Sequence, residues 1–412
     1  MDPVAGRGPL ILAIFALTYI GIAVGYIPGL KVNRAGIALL GAIAMMIFAG
    51  VTTADAVKFI NWPTVFLLFG FFVLSAQLRL SGFFDRVAAA VAARLRHPAR
   101  FLCELMLITA GLSAVLNHDI VCFAFTPIVA AALLRQQLNP TPFLIALAIA
   151  SNIGAAATLV GNPQDMMIAQ VAQLDFGRYL LWAMVPVLFA LGSAYAIIWL
   201  LSRRAFRTRK AQNDLRPSRR PFDRGHTVKG LVILAVVIAL FFSPLPKEIV
   251  ALAAAGIHIA SRKFRTEELL GLVDWPVLVL FMGLFVIAGA FQTTGYGAQA
   301  VHWLAGNGVN LRSLPVLAAV TAVLSNLLNN SAAVLLLLNV VDLSQPATAY
   351  TLALANSFGG SLVIIGSVSN IIVVQQARTL GIDISLYDFA RLGVPTTLAA
   401  IGGLIAWTTL LG

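Results

Sequence analysis

SNIGAAATLVGNPQD, residues Ser151 to Asp165, interrupts an apolar span that begins near Phe143. A helix crossing lipid needs about 20 mostly apolar residues. This one meets Ser151, Asn152 and Gly154, and then Gly161, Asn162 and Pro163. Proline removes a backbone donor, glycine loosens the helix, and unpaired backbone in hydrocarbon is costly. Such a break is tolerated where it faces protein or a water-filled cavity. The competing reading is a connecting loop outside the membrane. A second copy argues against the loop: Asn356 to Asn370 reads NSFGGSLVIIGSVSN, with Gly359 and Gly366 matching Gly154 and Gly161, and Asn370 opposite Asp165. Two interrupted segments in matching halves point to the binding site of a membrane transporter.

Composition agrees. The 412 residues are 60% hydrophobic and only 11% charged, with a mean hydropathy of +0.92. That excludes an ordinary soluble domain and reads as an all-α polytopic membrane protein. The alternating ten-residue segments of a barrel are absent. A net charge of +12 would suit nucleic acid, but the basic residues sit between apolar spans, so lipid is the expected partner and nucleic acid is not. Cys103 and Cys122 both lie in apolar stretches and provide neither metal spacing nor a disulfide framework. The run from Leu10 to Tyr26 lacks a basic leader and a small-residue cleavage site, so it reads as a retained helix.

In order, the first half (1–201) holds spans near 10–27, 35–51 and 62–80 and an amphipathic stretch from Phe83 to Arg96. A two-armed hairpin at 101–134, the interrupted span 142–172 and a closing helix at 179–201 follow. A basic linker, 202–228, separates it from the second half (229–412). There the order recurs: spans at 229–243, 248–260 and 275–292, a weakly polar stretch to Asn310, a hairpin at 313–343, an interrupted span at 350–377 and a closing helix at 391–411. Special residues recur with it. Asn61-Trp62-Pro63 returns as Asp274-Trp275-Pro276, LSAVLNHD (Leu112 to Asp119) as LSNLLNNS (Leu324 to Ser331), and Val185-Pro186 as Val394-Pro395.

Each half then has five crossings and a hairpin that returns to its own side, so the halves are inverted relative to each other. With the linker placed in the cytoplasm, 23 of the 28 Lys and Arg fall inside, and only Arg7, Lys58, Arg178, Lys247 and Arg312 fall outside. The positive-inside rule is met with both termini outside a plasma (inner) membrane.

The hairpin arms, 16 and 15 residues in the first half, span roughly 22–24 Å at 1.5 Å per residue, short of a ~30 Å core. Re-entrant hairpins are therefore favoured over full crossings. Their polar tips, Asn117-His118-Asp119 and Asn329-Asn330-Ser331, would meet the two broken helices near the midplane. Asp119, His118 and Asp165 face Ser331, Asn330 and Asn370 in the alignment of halves. An intramembrane carboxylate is by default a cation or proton site; Asp165 also reads as a residue nearer the outer end of its helix. His118 can exchange protons near neutral pH or hydrogen-bond a backbone carbonyl. No Lys or Arg lies in 101–134, 136–177 or 313–377, so a multivalent anion would lack a fixed positive partner. Backbone amides at helix N-termini can still hold a weak anion. Gly154, Asn162 and Ser367 complete the candidate set.

At these residues the chain resembles the ion transporter superfamily, particularly its arsenite-permease, NhaD-like sodium/proton-antiporter and P-protein branches, which carry a citrate-transporter-like domain. NHDIVCFAFTPI (Asn117 to Ile128), SNIGAAATLVGNPQDMMI (Ser151 to Ile168), GSVSNII (Gly366 to Ile372), and the NWP and DWP openings followed by SGFFD (Ser81 to Asp85) carry the resemblance over nearly the whole chain. It implies scaffold and transport domains, frequent dimers, alternating access, and substrate and coupling ions at Asn117, Asp119, Ser151, Asn152, Asn329, Asn330, Asn356 and Ser357. His118 stands where relatives often have Asn, as does Asp165, so sodium coupling is not carried over.

The expectation is proton-coupled efflux of arsenite or antimonite, without a cofactor. The alternatives are transport of a di- or tricarboxylate or inorganic oxyanion, and then sodium/proton antiport. A channel fits paired broken helices poorly. An enzyme lacks any nucleophile–base pair or paired carboxylates. Homodimerisation and an energising partner such as an ATPase leave no signature in the residues.

Overall fold

A computed structural model describes residues 7–25, 29–95, 97–203, 206, 221–260 and 263–411. Most of the basic linker lies outside the described residues. The first half contains α1 (Gly8–Val24), α2 (Arg34–Phe48), α3 (Thr53–Phe59), α4 (Trp62–Leu80), α5 (Phe83–Ala92), α6 (Pro98–Val115), α7 (His118–Arg135), α8 (Thr141–Ala155), α9 (Pro163–Val171) and α10 (Phe176–Ser202). The second repeats that order: α11 (Arg224–Leu240), α12 (Lys247–Ile259), α13 (Thr266–Leu270), α14 (Trp275–Gln292), α15 (Tyr296–Gly306), α16 (Leu314–Leu328), α17 (Asn330–Leu338), α18 (Pro346–Gly359), α19 (Val368–Thr379) and α20 (Leu386–Leu411).

Local chemistry sets the boundaries. The side chains of Asn61 and Asp274 accept from Thr64 N and Val277 N, and a proline follows two residues later in each case. That pairing satisfies one exposed amide and spends no donor on the proline. The chain re-enters helix at α9 the same way, through Asn162 and Pro163. Helix is interrupted between α8 and α9 and again between α18 and α19.

Some expectations shift. The arms of the first hairpin are 18 residues each, because helix starts at Pro98 and resumes directly after Asn117. At about 27 Å by the 1.5 Å rise, their length no longer separates a re-entrant arm from a crossing. The weakly polar stretch before Asn310 holds the helix α15, and two short helices, α3 and α13, precede the NWP and DWP openings.

Packing repeats as well. Gly70 of α4 lies so close to α12 that an added Cβ would sit 2.7 Å from Ala251, and Gly283 of α14 meets Ala38 of α2 at 2.9 Å. Each crossing couples the fourth helix of one half to the second of the other, through small residues that let the backbones approach. Polar residues face inward: Asn152, Asp165, Ser357 and Asn370 are at most 3% exposed, whereas Leu17, Leu181 and Leu410 are at least 70% exposed. An apolar exterior around a polar interior is the arrangement of a chain solvated by lipid.

Candidate functional site

The two breaks cross each other. Asn162 caps α9, its Oδ1 accepting from Asp165 N at 2.7 Å. Its Nδ2 donates to Asp165 Oδ2 at 2.6 Å and to Ser357 Oγ of α18 at 3.0 Å. The Ser357 hydroxyl completes the triangle, 3.4 Å from Asp165 Oδ2. At the other break Ser367 caps no amide with its side chain. Instead its hydroxyl donates to Asn152 Oδ1 of α8 at 2.9 Å, joined by the Ser369 hydroxyl at 3.1 Å. Asn152 Nδ2 donates to Asn370 Oδ1 at 2.9 Å. In the repeat register Asn162, Asp165 and Ser357 are the twins of Ser367, Asn370 and Asn152, so one polar seam is built twice across the halves. Asp165 lies inside the seam with no solvent exposure.

Glycines make the breaks possible. A Cβ on Gly154 would overlap the Ala110 backbone of α6, and one on Gly161 would overlap the carbonyls of Ala155 and Ser113. Gly359 packs likewise on Ala322 of α16, and Gly366 on the Asn326 side chain. Each hairpin's first arm thus lies directly against its own half's break.

The hairpin tips complete the site. Asn117 caps α7, accepting from Asp119 N at 2.8 Å. His118 directs Nδ1 at the Gly161 carbonyl, 3.3 Å away, so of the two sequence readings the carbonyl bond is present. Its Nε2 lies 3.5 Å from Asp119 Oδ1. Asn329, held at φ 80°, where glycine is at home, caps α17 through Ser331 N at 3.0 Å. Ser331 accepts from Gln164 Nε2 of α9 at 2.7 Å, and the Asn330 amide lies against Gly360. Ser151 turns to its own helix, donating to Ala148 O at 2.8 Å and accepting from Cys122 Sγ at 3.1 Å. Asn356 differs from this twin: neither amide atom has a protein partner, although the residue is only 1% exposed. Asp165 Oδ1 and Asn330 Oδ1 are also buried without one, and Asp119 Oδ1 makes no hydrogen bond beyond its approach to His118. Each such atom costs about 1–3 kcal/mol if nothing answers it, and these lie at the breaks and hairpin tips.

Two cavities lie beside the NWP and DWP openings. One, of about 270 Å³, is bounded by Phe72, Arg79, Asn117, Asp119 and Asp274. The other, of about 250 Å³, is bounded by Lys58, Asn61, Phe285, Gln292 and Asn339. The first changes one expectation. Arg79 reaches the hairpin that was read as free of positive partners, its guanidinium 4.3 Å from the Phe123 ring. Sequence reading treated Arg79 and Lys58 as flanking charges and missed Gln164, Gln292 and Asn326; for Gln292 the signal was its place opposite Arg79 in the register set by the NWP and DWP openings. Among the described residues no group of His, Cys, Asp and Glu could hold a metal ion.

The citrate-transporter family profile (CitMHS) matches residues 11–354. An uncharacterised transporter of Mycobacterium tuberculosis is 31% identical over 95% of this chain and 96% of its own length. The silicon efflux transporter LSI3 of Oryza sativa subsp. japonica is 26% identical, covering 91% and 93%. The putative transporter arsB of Dictyostelium discoideum is 33% identical over 36% of this chain and 27% of its own. Among solved structures, the Alcanivorax borkumensis YdaH transporter superposes with a TM-score of 0.62 at 14% identity, over 100% of this chain and 98% of that one. At that identity the likeness is one of fold.

Proposed function

This chain belongs to the CitMHS citrate-transporter family and is a secondary membrane transporter rather than an enzyme; from that premise we propose that it expels a small neutral hydroxylated acid, arsenous or antimonous acid, in exchange for protons. The observation that carries this is the buried seam, where amides, hydroxyls and one carboxyl meet with no Lys or Arg among the residues that form it. Such a lining donates and accepts hydrogen bonds without demanding charge, as an uncharged polyhydroxyl solute requires. Relatives named for silicon efflux and for arsB favour solutes of that chemistry. No resident cofactor is invoked, and sodium stays the competing coupling ion.

In this reading the chain lies in the plasma membrane with the linker cytoplasmic and both termini outside. The halves are inverted, and the hairpins are re-entrant, their tips gating the seam alternately from the two cavities. A homodimer and an energising ATPase are compatible with it and are not needed for the chemistry.

The test is arsenite uptake into everted vesicles. A pH gradient should drive accumulation, and collapsing the gradient should stop it. Absence of gradient-dependent uptake sinks the reading. A second reading, a di- or tricarboxylate substrate, is favoured by Arg79 beside Asp119 and by the family's description. Uptake of citrate in the same vesicles, without arsenite competition, would establish it.

A further inference from the structure

The two crossings share a backbone plan but not a chemistry. At the second, Asn370 is fully engaged: Nδ2 donates to the Gly360 carbonyl at 2.7 Å and the Val363 carbonyl at 3.0 Å, while Oδ1 accepts from Asn152 at 2.9 Å. An amide so occupied holds two helices in place and has no proton to exchange. At the first, Asp165 occupies the same position, with both side-chain donors, Asn162 Nδ2 and the Ser357 hydroxyl, on Oδ2. Oδ1 has no protein partner, and the residue has no solvent exposure. With both donors on Oδ2, Oδ1 is left as the oxygen that can take up a proton without disturbing either bond.

The surroundings contain no counter-charge in contact. Of the elements packed on α9, α17 carries no titratable group, α18 carries Tyr350, and α4 carries Arg79, which lines the cavity with Asp119. From α10, Arg178 is exposed at the start of the helix; Tyr179 interacts electrostatically with Asp165, but its hydroxyl donates to the Ala156 carbonyl at 2.8 Å. Glu248 of α12 reaches Gln170, more than a helical turn further on. Ionising Asp165 here would bury an unpaired charge. Two features ease ionisation once Ser357 moves off and the seam is wetted. Asp165 is the third residue of α9, where the helix dipole favours an anion, and Asn162 remains as a donor.

We propose that Asp165 is the single proton-exchanging group of the seam, loaded when the two halves are closed at Ser357 and emptied when they part, so that one proton and not two accompanies each cycle. The O–H bond of the carboxyl breaks heterolytically, the proton leaves to water on the open side, and the carboxylate is reprotonated from the other side. Asp119, facing His118 and the cavity, shapes entry to the seam and does not carry that proton. The inference rests on the proton-coupled reading above, so its test is arranged to fail separately from it.

Infrared difference spectroscopy on purified protein reads protonated carboxyl groups directly, with no solute present. Wild type should show a protonated carboxyl band at neutral pH that Asp165→Asn removes and Asp119→Asn retains. Asn370→Asp, which places an acid at the twin position, should add a second band. In vesicles, Asp165→Asn should abolish the response of solute transport to a pH gradient. Lack of the band in wild type, or its persistence in Asp165→Asn, overturns the proposal even if arsenite transport is established. Loss of the band with no arsenite transport leaves the proton site standing and removes the substrate reading instead. Loss of the band with a full gradient response overturns the coupling role.

Discussion

The cavity bounded by Arg79, Asp119 and Asp274 and the cavity bounded by Lys58, Asn61 and Gln292 stand at the same place in their respective halves. Phe72 answers Phe285, Asp274 answers Asn61, and Arg79 answers Gln292, because α4 and α14 share one register from their Trp-Pro openings. Their volumes are nearly equal; their electrostatics are not. The first cavity holds two carboxylates and a guanidinium, the second an ammonium among amides. Backbone duplication therefore supplies two cavities of one plan, and side-chain divergence makes them unequal.

The largest effect should come from the breaks themselves. Gly161→Ala would push against backbone carbonyls of Ala155 and Ser113, whereas Gly366→Ala chiefly meets the movable end of Asn326. Overpacking against backbone should cost about 1–3 kcal/mol, so thermal unfolding in detergent should drop clearly for Gly161→Ala and less for Gly366→Ala. Equal losses would mean that the two breaks are equally rigid. Next, Asp119→Asn should stop both solute exchange and coupled uptake with protein still in the membrane, while Asp85→Asn should do little. Equal behaviour of the two would undo the role given to the hairpin tip. Third, Arg79→Gln makes the first cavity resemble the second. Arsenite uptake should change by about twofold or less, since an uncharged solute does not need the guanidinium. A collapse of uptake would show that the solute carries negative charge.

The smallest effect belongs to the surface. Asp223 accepts from the His226 amide and pairs with the Lys263 ammonium, and these partners hold its carboxyl well below the usual carboxylate range. A depressed folded-state value means that this stabilisation is present above about pH 4, the unfolded carboxylate range, and is lost as pH falls through the folded value. Asp223→Asn should remove that acid-side loss from the melting curve, and high salt should mask the difference.

The repeat was legible because its markers are local. A Trp-Pro opening, a polar tip and a glycine-bounded interruption each act through backbone geometry within a few residues. α3, with seven residues, and α13, with five, were too short for any period to show, and the exposed α15 carries too weak an apolar face to stand out. The site was legible by residue type but not by partner. Nothing local tells Asn152 that it meets Asn370, 218 positions on, or that Ser151 would satisfy itself within its own helix while Asn356 would not. Arg79 was read as an anchor for the positive-inside pattern, since its reach toward Phe123 depends on how α7 packs.

The seam also has a schedule. At chain growth of about 5–20 residues per second, the 192 positions separating Asp165 from Ser357 take about 10–40 s to synthesise. Through that interval the first half must wait in the bilayer with the carboxyl and Asn152 lacking the partners that later enclose them. The nascent first half is thus the stage at which insertion machinery or a chaperone has the most to protect, and a substitution that removes the acid should ease biogenesis even as it spoils transport.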